Sequence, residues 1–278
     1  MRVAAFTVDV DRDVNLPAKG RTSALSKCHD GDREETRFGS SMRGLLLLIK
    51  MLEELEVEAT FFFEGDTLLH ISEGADVRKL LSGHEAACHG VCHEDITGES
   101  TGAPLTDQEL SQMIDDGRDI VKKAFDRDPV GFRAPYQHID ERTLRLLQRR
   151  GFLYDSSMAS VIDDEGGIRP WRVAGDLMEL PLAQGKDARG KKIVSYLWPM
   201  HEGRRSPGDY AAMAGRVKSG VLVLATHSWH MVETYERGMM SESQINSNLD
   251  NLRKVLGDAK AQGWEFLQLK EIARKWKG

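Results

Sequence analysis

The sequence lacks the marks of several large classes of protein. Its 278 residues include only three cysteines, an odd number that supplies no disulfide framework and favours a reducing compartment. No apolar run approaches the ~18 residues of a membrane span, and the N-terminal residues turn acidic before the apolar core of a secretion signal can form. We therefore expect a cytoplasmic protein that makes no use of a membrane.

Strong charge and linker sequences are also missing. The formal net charge is -6, and the basic residues form no stripe, which argues against a nucleic-acid partner. The eight prolines build no linker, and no internal repeat is visible. With 40% hydrophobic residues the chain can bury one large core, and α/β barrels commonly run ~200–250 residues as one domain. We expect one domain over residues 1–278, with both a monomer and a homo-oligomer left open.

Strand-like and helix-like segments alternate along the chain. Strands are predicted at 2–10, 58–65, 84–90, 130–136, 152–157, 177–183, 220–228 and 265–269. Helices are predicted between them at 40–55, 106–125, 140–150, 207–219 and 241–262. Thr106 and Glu109 form a capping box at the start of the second helix, and Ser241 is a further cap. This alternation predicts parallel βα units rather than a sandwich.

Two short segments carry most of the chemistry. FTVDVD (residues 6–11) ends a strand, and alternation puts Asp9 and Asp11 on one face. CHGVCHED (residues 88–95) sets His89 and His93 four residues apart, the spacing that places two imidazoles on one face of a helical turn. Together they offer three ligands for a divalent metal and one spare carboxylate, the minimum for metal-assisted hydrolysis. Each motif alone is equally typical of a cap, of packing or of a surface turn.

Other polar residues follow further predicted strands. Arg133 is costly to bury without an anionic partner, which Asp9 would supply, whereas an arginine at the rim would face water. His227 follows the apolar run VLVLAT, so a packed core histidine is its alternative. The active sites of βα barrels lie at the C-terminal ends of the strands, and six groups here share such positions. Besides the segments and residues above, they include Tyr136, Asp155 and Glu179.

In order along the chain, FTVDVD, HGVCH, RAPY and the late VLATH resemble the successive signature motifs of the polysaccharide deacetylases, carbohydrate esterase family four and its relatives. The resemblance runs from about Arg2 to Ile272. The one-residue spacer between the aspartates is similar to a branch of cytoplasmic peptidoglycan deacetylase-like and cyclic imidase or allantoinase-like proteins. The resemblance implies a single-domain α/β fold, a distorted (β/α) barrel of seven to eight strands with its active site at the C-terminal ends of the strands.

The resemblance also implies a role for each polar residue. Asp11, His89 and His93 would hold one divalent metal ion, with zinc favoured, and would leave positions open for water and substrate. Asp9 would be the general base, oriented by Arg133.

The remaining roles concern the substrate. His227 would be the general acid that protonates the leaving nitrogen. A backbone N–H near Tyr136 would complete an oxyanion hole, and either Asp155 or Glu179 would orient His227.

The substrate is less defined than the chemistry. The first expectation is removal of an acetyl group from an N-acetylated sugar. The alternatives are opening of a small cyclic amide, imide or ureide at the same site, and a silent barrel that only binds carbohydrate. The family's aromatic motif has no clear match, and Trp171, Trp198 and Trp229 either supply a substrate surface or simply pack. The long polar connection 12–39 is typical of a functional lid or of a disordered loop, and a lid would suit a small, enclosed substrate.

Overall fold

Parallel strands form the framework of the protein, which the computed structural model describes over residues 2–29 and 35–276. Their pairing follows the order β6, β5, β4, β3, β2, β1, β8, β7, with every pair parallel. The strands are β1 (Arg2–Val10), β2 (Ala59–Phe63), β3 (Glu85–Cys88), β4 (Gly131–Phe132), β5 (Tyr154–Asp155), β6 (Leu177–Glu179), β7 (Leu182–Lys186) and β8 (Ser219–His227).

One stretch of chain joins the two ends of this row. Strand β6 pairs with β5, and β7, which follows directly in the chain, pairs with β8 at Leu182 and Val223. Pro181 lies between β6 and β7, and it interrupts the ladder because it has no backbone N–H. The segment 177–183, predicted as one strand, is therefore two. It contacts both ends of the row and curls the sheet into the predicted single-domain distorted barrel.

Alternation along β1 separates the barrel interior from the surface that packs on helices. Phe6 and Val8 belong to the large hydrophobic cluster that includes the helices, whereas Val3 and Ala5 belong to a smaller cluster contributed mainly by the strands. Asp9 continues the face of Val3 and Ala5, because alternate residues of a strand share a face. The interior therefore changes from apolar to polar toward the C-terminal ends of the strands, as predicted.

Helices lie between the strands along the chain, and five of them match the predicted segments to within a few residues. Both predicted N-terminal caps, at Thr106 and Ser241, are confirmed as capping boxes. Within the described residues no helix combines the length and apolar character that a bilayer crossing requires. The helices are α1 (Gly39–Leu55), α2 (Gly65–Gly74), α3 (Val77–Leu80), α4 (Asp107–Phe125), α5 (Glu141–Arg149), α6 (Trp198–His201), α7 (Pro207–Arg216), α8 (Glu242–Ala261) and α9 (Leu269–Lys275).

Short elements complete the fold and were mostly not predicted. The predicted strands 130–136 and 152–157 shrink to two residues each in β4 and β5, and the chain turns away soon after them. The predicted strand 265–269 is likewise two residues long. The additional short strands are Asn15–Leu16, Leu25–Ser26, Ala159–Val161, Gly167–Ile168, Trp171–Ala174, Lys192–Val194, Glu233–Thr234, Gly238–Met239 and Glu265–Phe266, and the 3₁₀ turns are Pro135–Gln137 and Trp229–Met231.

Helix α1 packs against the turn that follows β8. A Cβ atom at Gly44 would lie 1.8 Å from the backbone oxygen of Ser228, so only glycine allows this approach. The hydroxyl groups of Ser41 and Ser228 are hydrogen-bonded across the same contact. The helix therefore fixes the end of β8, where His227 lies.

Candidate active site

Asp11, His89 and His93 come together at the C-terminal ends of the strands. Asp11 follows β1 directly, His89 follows β3, and His93 lies in the loop after it. All three side chains are buried, and one potential ligand atom from each lies within 4.8 Å of the others. The three predicted metal ligands therefore form one cluster.

The two histidines do not share a helical turn, contrary to what their spacing suggested. Residues 89–94 form a loop, and His93 has a positive φ of 51°, a conformation that few residues other than glycine adopt. The Nδ1 atom of His89 is 2.8 Å from the carbonyl oxygen of Arg133. Since a carbonyl only accepts, Nδ1 carries the proton and Nε2 is left as the free ligand atom. The loop, rather than a helix, brings the imidazoles together.

The cluster fits a divalent metal ion by two further observations. Asp11 Oδ1 is buried and has no hydrogen-bond partner among the described residues. Asp11 Oδ2 lies 3.1 Å from His93 Nε2, close to the ~3.4 Å expected between two ligands of a tetrahedral zinc ion with ~2.1 Å bonds. Burial raises the pKa of Asp11 well above its usual value. A charged carboxylate at this position therefore needs a cation beside it, which a bound metal ion would supply.

Burial also keeps the two imidazoles neutral. It lowers the pKa of His93 to about 4 and lowers that of His89, although nearby carboxylates oppose the shift. A neutral imidazole is the form that binds a metal. The nitrogen and oxygen donors are the types that zinc accepts.

Arg133 and Asp9 form the ion pair that the cost of burying an arginine predicted. Arg133 is fully buried, and its Nη1 atom donates to Asp9 Oδ1 at 2.8 Å. It also donates to Thr7 and to the side chain and backbone oxygens of Ser156, at 2.9–3.0 Å. Its guanidinium lies 4.2 Å above the centroid of the Phe62 ring, a cation–π contact. Each nitrogen of the guanidinium is thus held in place.

Asp9 is charged at neutral pH despite its burial. Burial by itself would raise the pKa of Asp9, but the charge of Arg133 and a hydrogen bond from Tyr196 outweigh it and lower the pKa to about 2. Asp9 therefore presents a carboxylate, not a carboxylic acid, to the cavity.

Tyr196 is the residue of this site that the sequence did not reveal. Its hydroxyl donates to Asp9 Oδ2 at 2.6 Å and lies 2.9 Å from Nε2 of His227. The only hint in the sequence is its place at the end of the short alternating stretch KKIVSY. Burial lowers the pKa of His227 well below its usual value, so its ring is neutral next to Tyr196.

Asp155 and Glu179 do not occupy the position expected for a group that orients His227. Asp155 accepts hydrogen bonds from the hydroxyl and the backbone N–H of Ser157, at 2.7 and 3.0 Å. Glu179 accepts from the backbone N–H of Met158 at 3.0 Å. Burial raises the pKa of both acids, and in Glu179 the charge of Asp155 adds to the effect. Among the described residues they support the turn after β5, and the hydrogen-bond partner of the His227 ring is Tyr196.

Tyr136 borders the site in a strained conformation. It has a φ of 57°, and Gln137 after it has a φ of 61°. Such residues cost ~1–3 kcal/mol each and cluster at functional sites. The Tyr136 hydroxyl is buried without a partner among the described residues, and the ring lies edge-on to His93 at 4.5 Å. The oxyanion role of its backbone N–H stays a prediction.

A cavity of about 330 Å³ opens over these groups. Its aromatic wall includes Trp198, which lies edge-on to His227, whereas Trp229 is fully buried behind it and Trp171 lies outside the cavity lining. Of the three tryptophans, Trp198 is therefore the one that can meet a substrate. The cavity is lined by Asp9, Asn15, Pro17, His89, His93, Ala134, Tyr136, Gln137, Tyr196, Trp198, His227 and Tyr235.

Part of the long connection after β1 lies across the mouth of the cavity. Asn15 and Pro17 line the cavity, and Asn15 donates to Asp11 Oδ2 at 2.6 Å. Lys27 donates to the backbone oxygen of Tyr235 at 2.8 Å and lies over its ring. The predicted lid over 12–39 falls partly outside the described residues, so its movement stays a prediction.

The fold and the site together define a distorted barrel with a buried His₂–carboxylate cluster, and comparisons show which known proteins it resembles. The family model described as polysaccharide deacetylase matches residues 47–154. The peptidoglycan deacetylase-like protein FGM2 of Gibberella zeae is 34% identical over 119 residues, 42% of this chain and 33% of that protein. The peptidoglycan deacetylase of Helicobacter pylori is 26% identical over 116 residues, 41% of this chain and 37% of that protein. The matched stretch thus spans about a third of each curated relative.

Solved structures agree on the fold. A protein of Mycobacterium smegmatis assigned as a polysaccharide deacetylase is 22% identical, with a TM-score of 0.63 over 98% of this chain and 88% of that one. A pseudoenzyme of carbohydrate esterase family four from Bacillus anthracis is 11% identical, with a TM-score of 0.56 over 98% of this chain and 65% of that one. The chain therefore resembles the polysaccharide deacetylases in sequence over residues 47–154, and it shares the fold of these solved structures over nearly its whole length.

Proposed function

We propose that this protein is a metal-dependent amide hydrolase that removes the acetyl group from an N-acetylated sugar. The observation that carries the proposal is the joining of two sets of groups around one cavity. A buried His₂–carboxylate cluster and the Asp9–Arg133 pair with His227 lie close together, and His89, His93, Asp9 and His227 line the cavity. The names of the curated relatives, both peptidoglycan deacetylases or similar to them, support the acetamido sugar as substrate.

Asp11, His89 and His93 are the residues that would hold the ion, for which zinc is our prediction. When bound, a divalent ion of this kind polarises a carbonyl oxygen and brings the pKa of a water ligand toward ~7. The protein contributes neutral imidazoles and a carboxylate with a free oxygen, as described above.

Asp9 would accept the proton of the attacking water through its carboxylate. Because Arg133 holds its pKa at about 2, Asp9 is a weak base and must work on a water that is already acidified. Arg133 donates to Oδ1 and Tyr196 donates to Oδ2, and each carboxylate oxygen keeps a second lone pair with which it can accept a proton. His227, whose ring is neutral at rest, would take up the proton that Asp9 accepts from the water and give it to the leaving nitrogen, so that the C–N bond breaks to release an amine and acetate.

A second substrate class has one observation in its favour. The cavity is about 330 Å³ and residues 15–17 bound it on one side, which suits a compact ring as well as one sugar unit. Opening of a small cyclic imide or ureide would use the same groups, since the bond broken is again C–N. A silent carbohydrate-binding barrel would not need the Asp9–Arg133 pair beside the metal ligands.

An assay on defined substrates tests these readings. The protein is loaded with zinc, and acetate release from N-acetylglucosamine oligomers is measured beside ring opening of cyclic imides and of allantoin. Acetate release that stops on chelation and returns with metal supports the deacetylase. Ring opening without acetate release supports the alternative. A protein that holds no stoichiometric metal, or whose activity chelation leaves unchanged, would overturn the metal mechanism.

The site is expected to act on a soluble N-acetylated sugar or a small cyclic amide. A cytoplasmic location, the domain limits 1–278 and the oligomeric state remain predictions, which cell fractionation and light scattering would test.

A further inference from the structure

The hydroxyl group of Tyr196 lies between the two residues that would move protons. It is 2.6 Å from Asp9 Oδ2 and 2.9 Å from His227 Nε2, both within hydrogen-bond distance. The proposed reaction uses Asp9, Arg133 and His227 and does not require a role for Tyr196.

The direction of each hydrogen bond follows from the number of protons available. A phenol has one proton, and the charged carboxylate of Asp9 is the better acceptor for it. The Tyr196 oxygen must then accept from His227, which requires the proton of the neutral ring to be on Nε2. This nitrogen also faces the metal cluster, since it lies 3.8 Å from Asp11 Oδ2. The contact therefore selects the Nε2–H tautomer of His227.

The backbone fixes this arrangement as well as the side chains do. Asp9 and His227 are directly paired in the register of β1 and β8. Tyr196 is paired with Ala225 of β8 by a parallel bridge, with Leu197 N–H donating to the Ala225 oxygen at 2.7 Å. The three residues consequently lie on three adjacent chain segments, near the C-terminal ends of β1 and β8.

We propose that Tyr196 is a positioning residue that couples Asp9 to His227 by orienting both. The proposal rests on the proposed function. The phenol bonds to Asp9 Oδ2 and to His227 Nε2, so it fixes the orientation of the carboxylate and of the imidazole relative to each other.

A pair of hydroxyl deletions tests the proposal. Tyr196→Phe should lower kcat ~10–100-fold, the usual effect of losing a group that orients a catalytic one, with KM and metal content nearly unchanged. Tyr210→Phe is the matched control, because its hydroxyl donates to the backbone oxygen of Tyr196 at 3.2 Å and reaches neither Asp9 nor His227. It should keep the wild-type kcat. Circular dichroism and thermal unfolding confirm that both variants fold.

An NMR measurement separates this proposal from the proposed function. The ¹⁵N shifts of the His227 ring, assigned with His227→Asn in zinc-loaded protein, should report the Nε2–H tautomer in the wild type and a changed tautomer or faster exchange in Tyr196→Phe. An Nδ1–H ring in the wild type, or shifts and kcat that Tyr196→Phe leaves unchanged, would overturn the role of Tyr196. A wild type that releases no acetate would overturn the proposed function instead, and the NMR result would still decide whether Tyr196 sets the tautomer.

Discussion

The candidate site has two halves, which differ in whether all their buried polar atoms have hydrogen-bond partners. In the half formed by Asp11, His89 and His93, the buried Oδ1 atom of Asp11 has no hydrogen-bond partner among the described residues. In the half formed by Asp9 and Arg133, every oxygen and nitrogen of the two charged groups has a partner. An unsatisfied buried polar group costs ~1–3 kcal/mol. The first half is thus built for an external ligand, whereas the second is complete by itself.

Arg133 connects the two halves. Its backbone oxygen accepts from His89 Nδ1, and its side chain binds Asp9. One residue therefore orients a metal ligand with its main chain and the proposed base with its side chain. The predictions below separate these halves, beginning with the largest expected effect.

Removal of a single ligand from the metal half should be enough to lose the metal ion. His93→Ala removes one of three ligands, so we expect loss of bound metal and a fall of activity to background. His70→Ala is the control, since His70 is an exposed histidine that stacks on Phe38. Metal analysis and the acetate assay measure both effects. One tightly held ion per chain in active His93→Ala would show that His93 is not a ligand.

Replacement of Asp9 in the other half should lower activity and leave the metal ion bound. Asp9→Asn preserves shape and removes the proposed base, so kcat should fall ~10²–10⁴-fold, with metal content unchanged. Steady-state kinetics beside metal analysis make the measurement. Retained turnover would remove Asp9 as the base, and loss of the ion would mean that the two halves are not separable.

The buried ion pair should also matter for stability. Arg133→Met leaves Asp9 buried without its cation, which should lower the free energy of unfolding by ~3–5 kcal/mol. Arg172→Met is the control, because Arg172 pairs with Asp176 on the surface and such pairs contribute ~0–1 kcal/mol. Urea unfolding of metal-free protein compares them. Equal losses in the two variants would contradict the pairing.

A smaller effect should appear at acid pH. The pKa of Asp9 is about 2 instead of 3.8, so its contribution to stability is present above pH ~4 and is lost as the pH falls through ~2. The shift corresponds to about 2 kcal/mol. Metal-free wild type should lose this much more than Asp9→Asn between pH 4 and pH 2 in urea titrations. Parallel curves for the two proteins would rule the contribution out.

Local patterns in the sequence predicted much of this fold. Alternation in β1 predicted which face carries Asp9, and the Thr106 capping box predicted the start of α4, because both depend on neighbours within a few residues. The two-residue strands β4 and β5 could not be bounded this way, since their extent depends on where the curled sheet allows pairing. The division of the predicted strand 177–183 at Pro181 is a similar case, although the proline in the sequence was a sign that the strand could be interrupted.

The candidate site divides in the same manner. Asp11, His89, His93, Asp9 and Arg133 were predicted from motifs and from the cost of burying charge, and the structure brings them together. The family resemblance implied that either Asp155 or Glu179 orients His227, yet Asp155 binds Ser157 and Glu179 binds Met158. Tyr196 carried no motif, because its contacts come from residues about 190 and 30 positions away in the chain.

The sequence by itself determined which residue types are present and which strand faces they share, since these follow from local periodicity and chemistry. Only the tertiary structure decided that a loop rather than a helix joins His89 to His93, and that a tyrosine rather than an acid meets His227. Both depend on the register between strands far apart in sequence, which hydrogen bonding and packing of the whole barrel fix together.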